Sequence, residues 1–402
     1  MNFIHTSFFI SLSLFLSILF WTSACNSEDF AHRQTNKIVH EEKNLNITMA
    51  EIARITADAF PLIYSARNLS RQENETLINT VNHLQSLFKK TEPYFQSRSP
   101  TYQMSYELLQ DYLSGITENN EAHLLPEIKS HLLALSDFCI SCHTQDREVR
   151  TLFSSGLDRN KDALISSSSH RVKAEFNYAT RNYLEAHKYF EAYLFTTPHL
   201  EESDILHSLM RITSIYVQVL NQPGEAAEAL NRIDKKLKLH INIRKTIRES
   251  IEAIKTLPLN VQTNTTSLTF EALNKYVNRY LGGINVGQGI IFSSPGEVIE
   301  RQWIRGVLFR YLNHSPTESE IPRILYWLAL CNLSLGADYD NILANYYIKQ
   351  CIIHYPKHPY AQHCFTEYEK QLRFFYTTPN ETILPFEINN ELKELKRHLR
   401  EK

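Results

Sequence analysis

Glycine is scarce in this chain, with 10 in 402 residues beside 21 phenylalanines and 21 tyrosines, a balance that suits an aromatic-rich, mostly helical protein. An excess of either charge is also missing. Lys and Arg total 42 against 44 Asp and Glu, a formal net charge of -2, so nothing in the balance points to nucleic acid. Long apolar runs are nearly absent: the one from Phe8 to Trp21 is too short for a comfortable membrane span and gives way to polar Asn26, Ser27, Glu28 and Asp29. After Met1 the only methionines are Met49, Met104 and Met210, so few thioethers are available to any metal. No catalytic constellation stands out either. His83, His123, His131, His187 and His207 are scattered and read as surface or capping residues, and no Ser/His/Asp grouping can be assembled from spacing alone. No enzyme activity is expected.

What is present begins with a leader. The run Phe8–Trp21 ends in small Thr22, Ser23 and Ala24, the pattern of a cleaved export signal over residues 1–24, although Met1 to Thr6 carries no Lys or Arg. Thr22-Ser23-Ala24-Cys25 resembles the lipobox of bacterial lipoproteins, which implies lipidation of Cys25. Thr22 departs from the usual Leu, and the same residues satisfy ordinary cleavage to a soluble product. Either route leaves residues 25–46, polar and without apolar periodicity, as a flexible tether in an oxidising, periplasmic compartment.

Cys139-Ile140-Ser141-Cys142-His143 has the C-x-x-C-H spacing of c-type haem attachment. On a helix, positions three and four apart share a face, so two thiols reach the vinyl groups while the His143 imidazole faces the iron. A thioredoxin-type pair would sit near a βαβ pattern, and the flanks here are helical. A zinc site would need a second Cys or His pair nearby, and none has the spacing. One covalent haem c is therefore expected, with His143 as proximal ligand. Cys331, Cys351 and Cys364 read as buried small apolar side chains, with one disulfide among them as the alternative.

Around the motif, residues 47–151 read as four amphipathic helices. The first carries Met49, Ile52, Ile55, Ala59, Leu62 and Ile63, with Pro61 as a predicted kink. The second follows polar Ser70–Asn74 and carries Leu77, Ile78, Val81, Leu84, Leu87 and Phe88. The third, after a break at Ser97–Pro100, carries Tyr102, Tyr106, Leu109 and Leu113, with Met104 near its inner face. The fourth, from about Leu124 to Arg147, holds Leu132, Leu135, Phe138 and the haem motif. Short connections imply an up-down bundle around the cofactor. This layout resembles the cytochrome c-prime family, with Arg147 following the motif as an Arg does there, and Asp146 where the family has Tyr. The resemblance implies a haem-binding bundle. Arg147 either meets a haem propionate or faces solvent. In such a bundle the start of the first helix lies beside the end of the fourth, which makes Met49 the candidate sixth ligand; the alternative is an open site.

Beyond a linker at residues 152–169, the region 170–385 reads as helical repeats, so the fold expected overall is all-α. Tyr183, Ala186, Phe190 and Pro198 resemble the second helix of a tetratricopeptide repeat, as do Trp327, Leu330, Ala344, Ile348 and Pro356 with one extra loop residue. A degenerate pair spans about Asp204–Leu230, marked by Ala226. Further helices are expected near 237–255, 268–281 and 297–313 to complete the stack, since fewer than three repeats would not stand alone. Plain helix packing explains the same residues. Gly282, Gly283, Gly287 and Gly289 lack the Lys-Ser or Lys-Thr of a phosphate loop and read as an ordered turn. Lys235, Lys236, Lys238, Arg244 and Lys245 read as a solvated face. Residues 386–402 read as an exposed charged helix or frayed tail.

Together these features describe an exported electron-transfer protein whose repeats dock a redox partner protein or peptide, held at a membrane through Cys25. A haem-based gas-binding or sensing protein is the alternative. A cell-envelope scaffold with a structural haem is a third reading.

Overall fold

The computed structural model describes residues 45, 47–64, 69–96, 103, 106–107, 109–114, 132, 165–258, 268–288, 291, 293–312, 316–335, 340–377 and 383–401. The chain divides into two compact units, Met1–Glu51 and Ile52–Lys402. In the first, residues 47–51 are helical, with Ile47 exposed and Met49 half-buried. The second is all-α, without a strand among the described residues.

Residues 52–63 form α1, and Ile52, Ile55, Ala59 and Ile63 are buried while Leu62 sits at the edge. Pro61 lies in the last turn, where little helix remains to bend, so the expected kink becomes a helix end. The second helix, α2 (Arg71–Gln96), begins inside the polar segment expected to precede it. The reason is a capping box. The Glu73 amide donates to Ser70 Oγ at 3.3 Å and the Ser70 amide donates to Glu73 Oε2 at 2.9 Å, satisfying two donors that a helix start otherwise leaves open. Leu77, Val81, Leu84, Leu87 and Phe88 follow on its buried face, with Ile78 beside them half-buried. Residues 109–114 are helical with Leu113 fully buried, Tyr106 stacks on Phe95 at 5.3 Å, and Leu132 is helical and buried.

The array after residue 165 comprises α3 (His170–Ala179), α4 (Tyr183–Thr196), α5 (Glu202–Thr213), a π-helical turn (Ser214–Val219), α6 (Pro223–Lys236), α7 (Ile241–Thr256) and α8 (Phe270–Leu281). It continues with α9 (Pro295–Leu312), α10 (Ile321–Leu335), α11 (Asp340–His354), α12 (Pro359–Tyr376) and α13 (Phe386–Glu401). Most consecutive helices pack as neighbours, and α9 is central, touching α7, α8, α10 and the π-turn. The helices expected near 237–255, 268–281 and 297–313 are α7, α8 and α9. Ala186 and Phe190 are fully buried between α3 and α4, as are Ala344 and Ile348 beneath α10. With glycine scarce, three tight turns put Arg181, His199 and Asn221 at φ of 68°, 55° and 58°, the left-handed region that glycine would occupy more easily.

Helices before residue 115 touch the later array. Phe60 meets Phe176 edge-on at 5.8 Å, and Glu107 pairs with His354 at 3.4 Å. The charged C-terminal segment is a docked helix and not a frayed end: Leu392 and Leu395 are buried, and Glu391 takes both the Tyr368 hydroxyl and Lys349 at 2.7 Å. Gly282, Gly283 and Gly287 lie in an ordered turn, with Gly283 at φ 86°, while Gly289 lies outside the described residues. The Gly287 amide donates to Glu367 Oε2 at 3.0 Å, so the backbone there holds a carboxylate of this chain and presents no phosphate cradle.

Candidate functional site

The residues expected to carry the haem, Cys139, Cys142, His143 and Arg147, lie outside the described residues, as do Cys25 and Met104. Met49 is helical and half-buried. Of the C-terminal cysteines, Cys351 and Cys364 form a disulfide that ties α11 to α12, with Cα atoms 6.6 Å apart, while Cys331 is free and fully buried. The disulfide reading therefore holds for one pair and the buried-apolar reading for Cys331. Among the described residues, no group of three or more His, Cys, Asp and Glu is placed to hold a metal ion, and no helix is long and apolar enough to cross a membrane.

Two histidines read from the sequence as lone surface or capping residues belong instead to buried polar networks. Glu175 on α3 is fully buried. His207 Nε2 stands 2.5 Å from its Oε1, Arg211 Nε stands 3.5 Å from its Oε2, and the Tyr64 hydroxyl adds a hydrogen bond. His207 and Arg211 are four apart on α5 and so share the face turned to α3. The Arg211 guanidinium also lies 4.6 Å over the Tyr178 ring, whose hydroxyl meets Ser214 at 2.9 Å. Burial alone would push the Glu175 carboxyl up, but the Arg211 and His207 charges outweigh it and hold it at about 2. In the second network His187 Nδ1 lies 2.8 Å from the Tyr216 hydroxyl and Nε2 lies 3.2 Å from Glu191, which Arg232 also reaches at 2.9 Å. Burial again opposes ionisation of Glu191, and His187 with Arg232 reverses it. Carboxylates held ionised in this way clamp helices together. They are poorly matched to proton transfer near neutrality.

A third polar feature runs along α9, where Arg301, Arg305 and Arg310 are buried. Arg301 reaches Glu297 at 3.2 Å and Arg310 Nη1 donates to the Gln218 carbonyl at 3.0 Å. Among the described residues Arg305 meets the Phe309 ring, 5.8 Å away, and its Nε and Nη2 make no hydrogen bond. Burial pushes the neighbouring Cys331 thiol up to about 12, against the pull of Arg305 and Arg301, so it is a neutral thiol.

Between α5, α6, α7 and the start of α9 lies a half-open cavity of about 300 Å³. Its wall is mainly Leu209, Met210, Leu230, Ile247, Val298 and Ile299, and its polar atoms come from hydroxyls such as Thr246, Ser250 and Ser293. It accepts an apolar group and offers no charge.

The i,i+4 pair His207 and Arg211 on an apolar helix, with acidic Glu175 inside the apolar run Ala174–Ala179, was the available signal for the first network; which helix would receive it was not. No family model, curated protein or solved structure matches this chain.

Proposed function

We propose that the protein is an exported c-type cytochrome with one covalent haem on Cys139, Cys142 and His143, working in electron transfer, with the helical array as docking platform. The C-x-x-C-H spacing carries this reading. Supporting it are the apolar leader Phe8–Trp21 and the Cys351–Cys364 disulfide, a bond that persists in oxidising compartments. Buried apolar faces on α1, α2 and residues 106–113 are consistent with helices that share a core. When bound, haem c supplies a one-electron iron couple whose potential depends on its axial ligands. His143 is assigned as proximal ligand, Met49 as the sixth, Arg147 as a propionate partner and Cys25 as a lipid anchor.

The finer architecture, a four-helix haem bundle followed by tetratricopeptide-like repeats, belongs to the same proposal. The buried small residues Ala186, Ala226 and Ala344, each where helices approach closely, support the repeat part.

Haem staining of a denaturing gel, with intact-mass measurement of the exported protein, tests the reading. A haem adduct on the native chain, lost when Cys139 and Cys142 are both replaced by Ala, is expected; an unmodified mass for the native protein overturns it. The same spectrum reports lipid on Cys25. A low-spin oxidised form indifferent to carbon monoxide after reduction, turned high-spin by Met49→Ala, fits electron transfer. A native high-spin form that binds carbon monoxide favours the gas-sensing reading.

A further inference from the structure

Among the described residues, Arg323, in the first turn of α10, is held by aromatic rings alone. Its guanidinium carbon lies 5.8 Å from the Phe270 ring centre, 5.2 Å from Trp327 and 5.4 Å from Tyr360. Phe270 and Trp327 stack on each other at 5.5 Å. Among the described residues no carboxylate or carbonyl accepts a hydrogen bond from Arg323, and its Nε is buried without a partner. The side chain as a whole is half-buried, so the charge is fixed in direction yet within reach of solvent.

Two acids of this region are committed elsewhere. Glu320, three residues before Arg323, accepts from the Tyr311 hydroxyl at 3.2 Å and the Thr317 amide at 2.8 Å. Glu367 is taken by the Gly287 amide and by Lys370 at 2.9 Å. Three helix starts also meet at this point, since Phe270 opens α8, Arg323 lies in the first turn of α10 and Tyr360 in that of α12. Helix amino ends carry partial positive charge and add to the field of the guanidinium.

We infer that Arg323 and the rings of Phe270, Trp327 and Tyr360 form a docking point for a carboxylate borne by a partner protein, on an acidic side chain or chain end. A guanidinium packed against aromatic rings can still offer its edge, where a planar carboxylate binds through paired hydrogen bonds. The methylenes leading to that carboxylate gain contact with the flanking rings, whereas a hydrated inorganic anion gains nothing from them. The inference deepens the docking part of the proposed function and does not depend on the haem.

Titration calorimetry of the exported, full-length protein tests it. The probe is an acidic hexapeptide of Asp, Glu, Leu and Ala with a free carboxyl terminus. Its controls are the same peptide with Asn, Gln and an amidated end, and inorganic phosphate. Saturable binding of the acidic peptide, weakened about tenfold or more in the amide peptide and in Arg323→Gln, is expected from the loss of a charge-assisted bidentate contact. Arg323→Lys should recover only part of the affinity, because an ammonium lacks the planar fork. Thermal melts of both variants distinguish lost binding from lost folding. Equal binding of acidic and amide peptides, phosphate binding as tight as the peptide, no binding of the acidic peptide, or unchanged affinity in a folded Arg323→Gln variant each overturns the inference. Haem staining of the same samples reports separately on the electron-transfer reading.

Discussion

Gly306 on α9 lies so close to the main chain of the π-turn that a Cβ there would stand 2.5 Å from the Gln218 carbonyl oxygen. That same oxygen accepts from Arg310 Nη1 at 3.0 Å, so one carbonyl both receives α9 and excludes a side chain from it. In an exposed helix, Gly→Ala would gain about 1 kcal/mol. Here the neighbour is backbone and cannot swing aside. Gly306→Ala is expected to cost roughly 1–3 kcal/mol, as overpacking does, measured by urea unfolding; a gain in stability would show that the approach is looser.

Removing the Glu175 carboxylate leaves Arg211 and His207 facing each other in a buried site. Glu175→Gln should destabilise the protein by about 3–5 kcal/mol at neutral pH, the usual cost of breaking a buried pair from one side. Because the folded carboxyl is held at about 2 against an ordinary 4.5, its contribution is complete above 4.5 and is lost as the pH falls toward 2. Denaturant midpoints of variant and native protein should therefore draw together as the pH falls from about 4.5 toward about 2. A difference constant across that range would contradict the assignment.

The Cys351–Cys364 bond closes a short loop, 13 residues in sequence, between α11 and α12. Replacing both cysteines by Ser should cost about 2–4 kcal/mol. Peptide mapping without reductant should recover the two as a linked pair. Cys331, fully buried and with its thiol pushed up to about 12, should resist alkylation until denaturant is added. Labelling of Cys331 in the native protein would show that α10 opens.

Arg305 carries a buried charge that no acid of the described residues balances. Replacing it with Met, of similar length and without charge, should leave the protein as stable or stabilise it by about 1–4 kcal/mol. A loss beyond about 2 kcal/mol in thermal or urea unfolding would mean that the guanidinium has a partner in the folded protein.

The sequence by itself determined the helical class, the positions of α7, α8 and α9, and the buried faces of α1 and α2, because each follows from local spacing of apolar residues along a helix of fixed pitch. It also contains the C-x-x-C-H spacing, five consecutive residues, on which the proposed haem attachment rests. Other local features are encoded in the same way, among them the Ser70–Glu73 capping box that starts α2 early. What only the tertiary structure decided are partnerships between residues far apart in the chain. Spacing cannot tell that Glu175 would be met by His207 and Arg211, that Cys351 would choose Cys364 over Cys331, or that Arg323 would meet three rings and, among the described residues, no acid. Each depends on which helix faces which, and that is settled by the packing of whole faces, to which a single polar residue contributes little.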